Sequence, residues 1–317
     1  MKNRLYKLLG CEEDVIGLDI NYGRVVAAHF SKNGNGLQMD RLAAGEFSPE
    51  LTDRQVAAWL RAFWKKEKLP SRTVRTCLHS RALMVRYFCY KNLSADELPQ
   101  TLSLEAEEAL QQPADELCFD WHLNPSGTGP DGTVSELSGI LAAVPRKTVI
   151  RHLNLIRASG LYSVNVEISC SALYNFYTRL REAADMSPVC LINLADRTAD
   201  IIMLSSSGTY PRTLFSANDR WEGNLDYLLE NIQNALLYYH LKTNQYPIEK
   251  IVLIGRIPDK ESFPRTLEKN TSLPVSIFDP AAEPRMPDGI RRRPVPDTFN
   301  TAAGIGLALG GLGDETV

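Results

Sequence analysis

Two stretches of this chain share a layout: an apolar run closes on a polar side chain, turns, and starts a second apolar run. They differ at the residue with chemistry to offer. In the first, Val15 to Ala28, that residue is Asp19, followed by Asn21, Tyr22, Gly23 and Arg24; in the second, Val189 to Leu204, it is Asn193, followed by Ala195, Asp196, Arg197 and Thr198. A carboxylate beside a turn of small residues suits phosphate chemistry, because the backbone must come close to the phosphate while the acid positions magnesium-bound water. Here one of the two acids is an amide and turn glycines are few. The pattern predicts a duplicated fold around a central cleft whose phosphate chemistry has faded. Gly255 and Arg256, which end the apolar run from Ile251, are expected to face the same cleft, since ligands collect at strand C-termini in open α/β sheets.

The elements that must hold these residues alternate between strands and helices. Each stretch reads as a β-hairpin, and Leu37 to Phe47, reached through a turn at Gly34 to Gly36, and Tyr210 to Ala217 each add a third meander strand. Helical spacing of Val56, Trp59, Leu60, Phe63 and Trp64 predicts an amphipathic helix over Asp53 to Lys66, with the tryptophans in the core. Thr73 to Leu78 is a strand. From Leu83 to Leu161 the pattern is that of an inserted α+β unit: strands at Val85 to Tyr90, Cys118 to Leu123 and Leu137 to Val144, a helix opened by a capping box at Ser94 and Glu97, and a helix from Arg146 to Ser159. Asn124 to Ser135 reads as a loop. The main body resumes with strand Ser163 to Ile168, a helix from Ser169 to Glu182, a long helix from Asn224 to Thr243, a strand at Pro274 to Phe278, a proline-rich loop carrying Arg291 to Arg293, and a helix of small residues from Asn300 to Leu309.

Composition narrows the function classes. A chain of 317 residues exceeds what one core usually supports, so two lobes are expected. A formal net charge of -3 with 23% charged residues gives no pull toward nucleic acid. The six cysteines are scattered without a Cys-x-x-Cys pair, which reads as reduced buried thiols rather than metal ligands or disulfides. His29, His79, His122, His152 and His240 are equally dispersed, so neither a metal site nor a catalytic triad is expected. No secretory signal is expected from the residues at the start, no apolar run reaches membrane-spanning length, and no direct membrane insertion is expected.

The order of these elements resembles the actin-like ATPase superfamily, in particular the branch of FtsA and the type IV pilus assembly protein PilM. Beyond the two hairpins, the resemblance is carried by the acidic helix Leu102 to Gln111, by Ala142 to Lys147 running into a helix that ends at Ala158 to Leu161, by Val166 to Ile168, and by Thr301 to Ala308. It implies an α/β, actin-like (RNase H-type duplicated) two-lobed fold with an inserted 1C α+β subdomain. The implied divisions are residues 1-82 as subdomain 1A, continued by 163-186 and 300-317; residues 83-162 as 1C; and residues 187-299 as the second lobe, 2A and 2B.

Departures from the superfamily pattern set the functional expectation. Asp19 survives, with two readings open: a magnesium role, or capping of the hairpin turn. Asn21 stands at a glycine position, Tyr22 is bulky, Asn193 replaces an acid, Ala195 a glycine, and Ala199 stands where the family often has threonine. The adenosine motif, usually a glycine pair, is Gly255 and Arg256. An amide cannot replace a carboxylate as a magnesium ligand of equal charge, so hydrolysis is not expected, while weak binding of ATP with magnesium is left open. Glu167 aligns with a family glutamate and reads either as a group orienting water or as surface charge. Arg24, Arg197 and Arg256 either offset phosphate charge or stand exposed without a ligand. The resemblance implies a cytoplasmic scaffold at the inner face of the inner membrane, working with other pilus-assembly subunits. It would dock the cytosolic N-terminal tail of a PilN-like bitopic protein in a groove between 1A and 1C. The alternative is an active actin-like ATPase or sugar kinase, which needs a base and a phosphate clamp that the sequence does not present intact.

Overall fold

The computed structural model describes residues 15–33, 36–124, 136–180, 187–206, 208–216, 221, 223–243, 247–278 and 300–310. The expected turn at Gly34, most of the loop before Glu136, the arginine run at 291–293 and both chain ends lie outside the described residues. Backbone packing divides the described residues into two compact units: those within 1–79, 150–181 and 279–317, and those within 80–149 and 182–278.

The first unit is built on a five-stranded sheet in the order β3-β2-β1-β4-β8, from β1 (Ile16–Asn21), β2 (Arg24–Asn33), β3 (Gly36–Glu46), β4 (Thr73–Leu78) and β8 (Tyr162–Ile168). β1, β2 and β3 form the antiparallel meander; β4 joins β1 in parallel, and β8 joins β4 in parallel. Helix α1 (Asp53–Lys66) starts at a capping box between Thr52 and Gln55 and buries Val56, Leu60, Phe63 and Trp64 on one face. Trp59 stacks on Phe63 at 5.1 Å, and the Trp64 indole donates to the Ser71 carbonyl at 2.8 Å, so both tryptophans serve the core. Helix α7 (Ala302–Gly310) is buried along nearly its whole length. Small residues allow this: a Cβ added at Gly17 would lie 2.1 Å from the Gly304 carbonyl, and one at Gly306 would lie 1.8 Å from the Ala172 carbonyl on helix α4 (Ser169–Leu180).

The second unit repeats the plan. Its sheet runs β11-β10-β9-β12-β13, from β9 (Val189–Leu194), β10 (Thr198–Ser205), β11 (Gly208–Phe215), β12 (Lys250–Gly255) and β13 (Val275–Ile277). Again three antiparallel strands are flanked by two parallel ones. Helix α5 (Leu225–Thr243) contributes Leu228, Ile232, Ala235 and Tyr239 to a core shared with Ile192, Ile201 and Leu253. A separate three-stranded sheet, β5 (Met84–Lys91), β7 (Glu136–Pro145) and β6 (Leu117–Leu123), is covered by helix α2 (Leu98–Leu110). Tyr87 of β5 meets Tyr210 of β11 with ring centroids 5.1 Å apart, which ties this sheet to the larger one.

Two local expectations need correction. The Ser94 hydroxyl does bond the Glu97 carboxylate at 2.6 Å, but that bond closes a turn, and α2 starts at Leu98. Pro99 then falls in the first helical turn, where its missing N–H costs nothing. A helix absent from the sequence reading, α6 (Ser262–Thr271), opens where the Asp259 carboxylate accepts from the Glu261 and Ser262 amides at 2.9 and 3.0 Å. Only Phe263 and Leu267 of α6 are buried, which is too short a stripe to announce a helix. Among the described residues, no helix is long and apolar enough to cross a membrane.

Candidate functional site

In the first unit, Asp19 lies near the C-terminal end of β1, one residue beyond the last parallel pair, Leu18 with Thr76, which sets it beside Cys77 of β4. A strand's side chains alternate faces, so His79, two residues past Cys77, projects to the same side. The side chains of Asp19 and His79 are nearly enclosed, and His79 Nε2 lies 2.6 Å from Asp19 Oδ1. The ligand-capable atoms of Asp19, Cys77 and His79 all lie within 4.8 Å of one another. Burial works against a charge on His79, but the neighbouring Cys77 and Asp19 outweigh it and hold the imidazole well above its ordinary pKa. His79 is therefore an imidazolium donating to a carboxylate. His152, on helix α3 (Arg146–Ala158), is the reverse case: burial first, and the charge of His79 second, push it down to about 4, with Asp19 opposing. This neutral ring sits 2.8 Å from the Thr76 hydroxyl.

In sequence the histidines are dispersed and the cysteines read as plain buried thiols. The parallel register corrects that reading, because Cys77 and His79 close on an acid sixty residues upstream. The one local signal was a cysteine and a histidine at alternate positions where a strand ends. Nor are all the thiols buried: Cys77, Cys170 and Cys190 are, whereas Cys89 is exposed and Cys118 is half-buried.

The same register sets Glu167 of β8 opposite Cys77. Glu167 is not surface charge: its side chain is 7% exposed, it accepts from Arg75 Nη2 at 3.0 Å and Nε at 3.1 Å, and its other oxygen accepts from Ser171 Oγ at 3.0 Å. In the hairpin above, Tyr22 and Gly23 take φ of 44° and 85°, as the two centres of a type I′ turn require. A Cβ at Gly23 would also lie 2.6 Å from the Phe47 carbonyl. Arg24 pairs with Glu46 at 3.2 Å, and Asn21 is half-buried.

In the second unit, Asn193 is 3% exposed and pairs across the strands with Asp200, itself 2% exposed and bonded to the Thr213 hydroxyl at 2.7 Å. The turn is closed by the Ala195 amide donating to the Thr198 carbonyl at 2.9 Å, and Asp196 and Arg197 fill its centre without positive φ. The Trp221 indole donates to the Ala195 carbonyl at 2.9 Å and pins the turn from beneath, a contact the sequence reading missed. Gly255, at φ 83°, ends β12, and the next residue, Arg256, reaches back to form an ion pair with Asp196. The candidate residues thus form two clusters, Asp19 to Arg24 in the first unit and Asn193, Ala195 to Thr198, Gly255 and Arg256 in the second.

Residues 17–214 match the family described as type IV pilus assembly protein PilM. In three dimensions the chain is similar to a solved structure described as a PilM-PilN type IV pilus biogenesis complex, with a TM-score of 0.75 and 17% identity over 94% of this chain and 98% of that one. It is also similar to a protein of unknown function with an actin-like ATPase fold from Bacteroides thetaiotaomicron, with a TM-score of 0.50 and 12% identity over 86% of this chain and 93% of that one. No curated protein sequence gives a significant match. The fold is therefore the actin-like one, mixed α/β with its sheet plan duplicated.

Proposed function

The chain belongs to the type IV pilus assembly protein PilM family, and on that premise we propose that it is a cytoplasmic scaffold subunit of the assembly machine, held at the inner face of the inner membrane by docking the cytosolic tail of a PilN-like bitopic protein. Its role in type IV pilus assembly follows from the family. The finer reading, a scaffold rather than a motor, is carried by one observation: the duplicated hairpins are chemically unequal, with a buried carboxylate at Asp19 and a buried amide at Asn193. A phosphoryl-transferring site needs acids and unobstructed backbone on both sides of the phosphates. Here Tyr22 occupies the first turn, while Arg256 pairs with Asp196 in the second.

A tail captured in extended form would take its affinity from main-chain hydrogen bonds at a sheet edge and its specificity from pockets for alternate side chains. The test is calorimetric titration of the chain with synthetic N-terminal tails of bitopic inner-membrane proteins encoded beside it, run with an ATPase assay. Saturable 1:1 binding without phosphate release is expected. Sustained turnover of ATP with no tail bound would replace the scaffold with the enzyme.

A further inference from the structure

We propose that Asp19, Cys77 and His79 form a binding site for one thiophilic divalent cation, Zn2+ by its ligand chemistry, with a fourth coordination position left for water or another ligand. The donors are a carboxylate oxygen, a thiol sulfur and an imidazole nitrogen converging within 4.8 Å, with Cys77 fully buried and Asp19 7% exposed. Magnesium is the wrong ion for this set, because it demands near-octahedral oxygen coordination and takes neither sulfur nor imidazole readily. Zinc accepts sulfur, nitrogen and oxygen in one tetrahedron, and three protein ligands with an open position is the arrangement of its reactive sites.

Charge favours the same ion. As the cation enters, the Cys77 thiol proton and the proton between His79 and Asp19 leave to water. The divalent ion, thiolate, carboxylate and neutral imidazole then sum to zero, so burial does not oppose the filled site. The geometry asks for a small adjustment: tetrahedral bonds of about 2.0 to 2.3 Å set ligand atoms roughly 3.3 to 3.8 Å apart, so Asp19 and His79, now 2.6 Å apart, must part slightly. His79 follows the last residue of β4 and so lies outside the ladder that pairs β4 with β8. Glu167, opposite Cys77, is held away by Arg75 and Ser171.

The inference stands apart from tail docking, and each survives the loss of the other. The purified full chain is titrated with Zn2+ against a chromogenic chelator, then with Co2+ while its absorption spectrum is followed. One equivalent of tightly held metal is expected, unaffected by millimolar magnesium, with a thiolate-to-cobalt charge-transfer band and the intense visible bands of four-coordination. Cys77→Ser should weaken zinc binding at least about 100-fold and abolish the charge-transfer band, while Cys89→Ser leaves both intact. Absence of stoichiometric binding, a cobalt spectrum without a thiolate band, or unchanged affinity in Cys77→Ser overturns the site in favour of a plain Asp19–His79 ion pair. If Cys77→Ser does not fold, the chain with Cys11, Cys89 and Cys118 all changed to serine decides: a retained band supports the site and a lost band overturns it.

Discussion

The two sheets follow one strand plan, and their matching positions carry opposite chemistry. Asp19 on β1 lies beside Cys77 on β4 and is met by His79 two residues later; the equivalent places in the second sheet are Asn193 on β9, Ile254 on β12 and Arg256. The first sheet turns its carboxylate inward and neutralises it with a buried imidazolium. The second removes the acid from that position, keeps a buried one a strand away at Asp200, and sends its cation outward to Asp196 in the turn. Duplication has thus preserved hydrogen-bonding register while charge moved from strand to strand. Backbone pairing tolerates many side chains, whereas a buried charge is tolerated only where a partner stands beside it.

The strongest way to break the comparison is steric. Gly17 admits α7 against β1, while the matching position in the second sheet is the fully buried Leu191. Gly17→Val should cost about 3 kcal/mol, read by chemical denaturation, and hydrogen exchange should show the loss in the first unit. Acid comes next. The described histidines of the second unit, His122 and His240, are exposed, whereas His152 is pushed down to about 4. Its folded pKa is below its unfolded one, so its contribution is complete above about pH 6.5 and is lost as pH falls toward 4, roughly 3 kcal/mol in all. His152→Gln should flatten that limb of the stability curve.

The exchange of acid and amide can be tested in both directions. Asn193→Asp sets a second buried carboxylate across from Asp200 and should cost about 2 kcal/mol at pH 7, a loss relieved on acidification; a neutral result would mean the second sheet never needed the amide. Asp19→Asn leaves His79 without its counter-ion and should cost about 1 to 2 kcal/mol. Because the folded pKa of His79 is raised, that cost is full below the unfolded value and fades as pH rises through the folded one. The imidazole titration of His79, followed by NMR, should drop in the same variant. Smallest is Arg256→Ala: its ion pair with Asp196 is partly solvated, and about 0.5 kcal/mol is expected in a thermal melt.

Much of this fold is legible in the residues. Apolar runs broken by polar turns mark both hairpins, and the spacing of Val56, Leu60 and Phe63 marks α1. The carboxylate at 19 and the amide at 193 can be ranked without coordinates. What cannot be read is the meeting of Asp19 with Cys77 and His79, because a parallel pairing between β1 and β4 is fixed by tertiary packing and leaves no local periodicity. Glu167 shows the same limit: its partner Arg75 sits on the neighbouring strand, ninety-two residues away in sequence. Helix α6 fails for another reason, since its start depends on a side chain, Asp259, three residues ahead of it.

The glycine contact between β1 and α7 also bears on the order of assembly. The hairpin of β1 and β2 takes a wedge from residues 302–310 against one face, so the first unit closes only once a segment more than two hundred residues downstream has been made. Among the described residues, the second unit is drawn from 80–149 and 182–278, all before that wedge. Of the two units, the one whose strands come earlier in the sequence is the one that closes on the later segment.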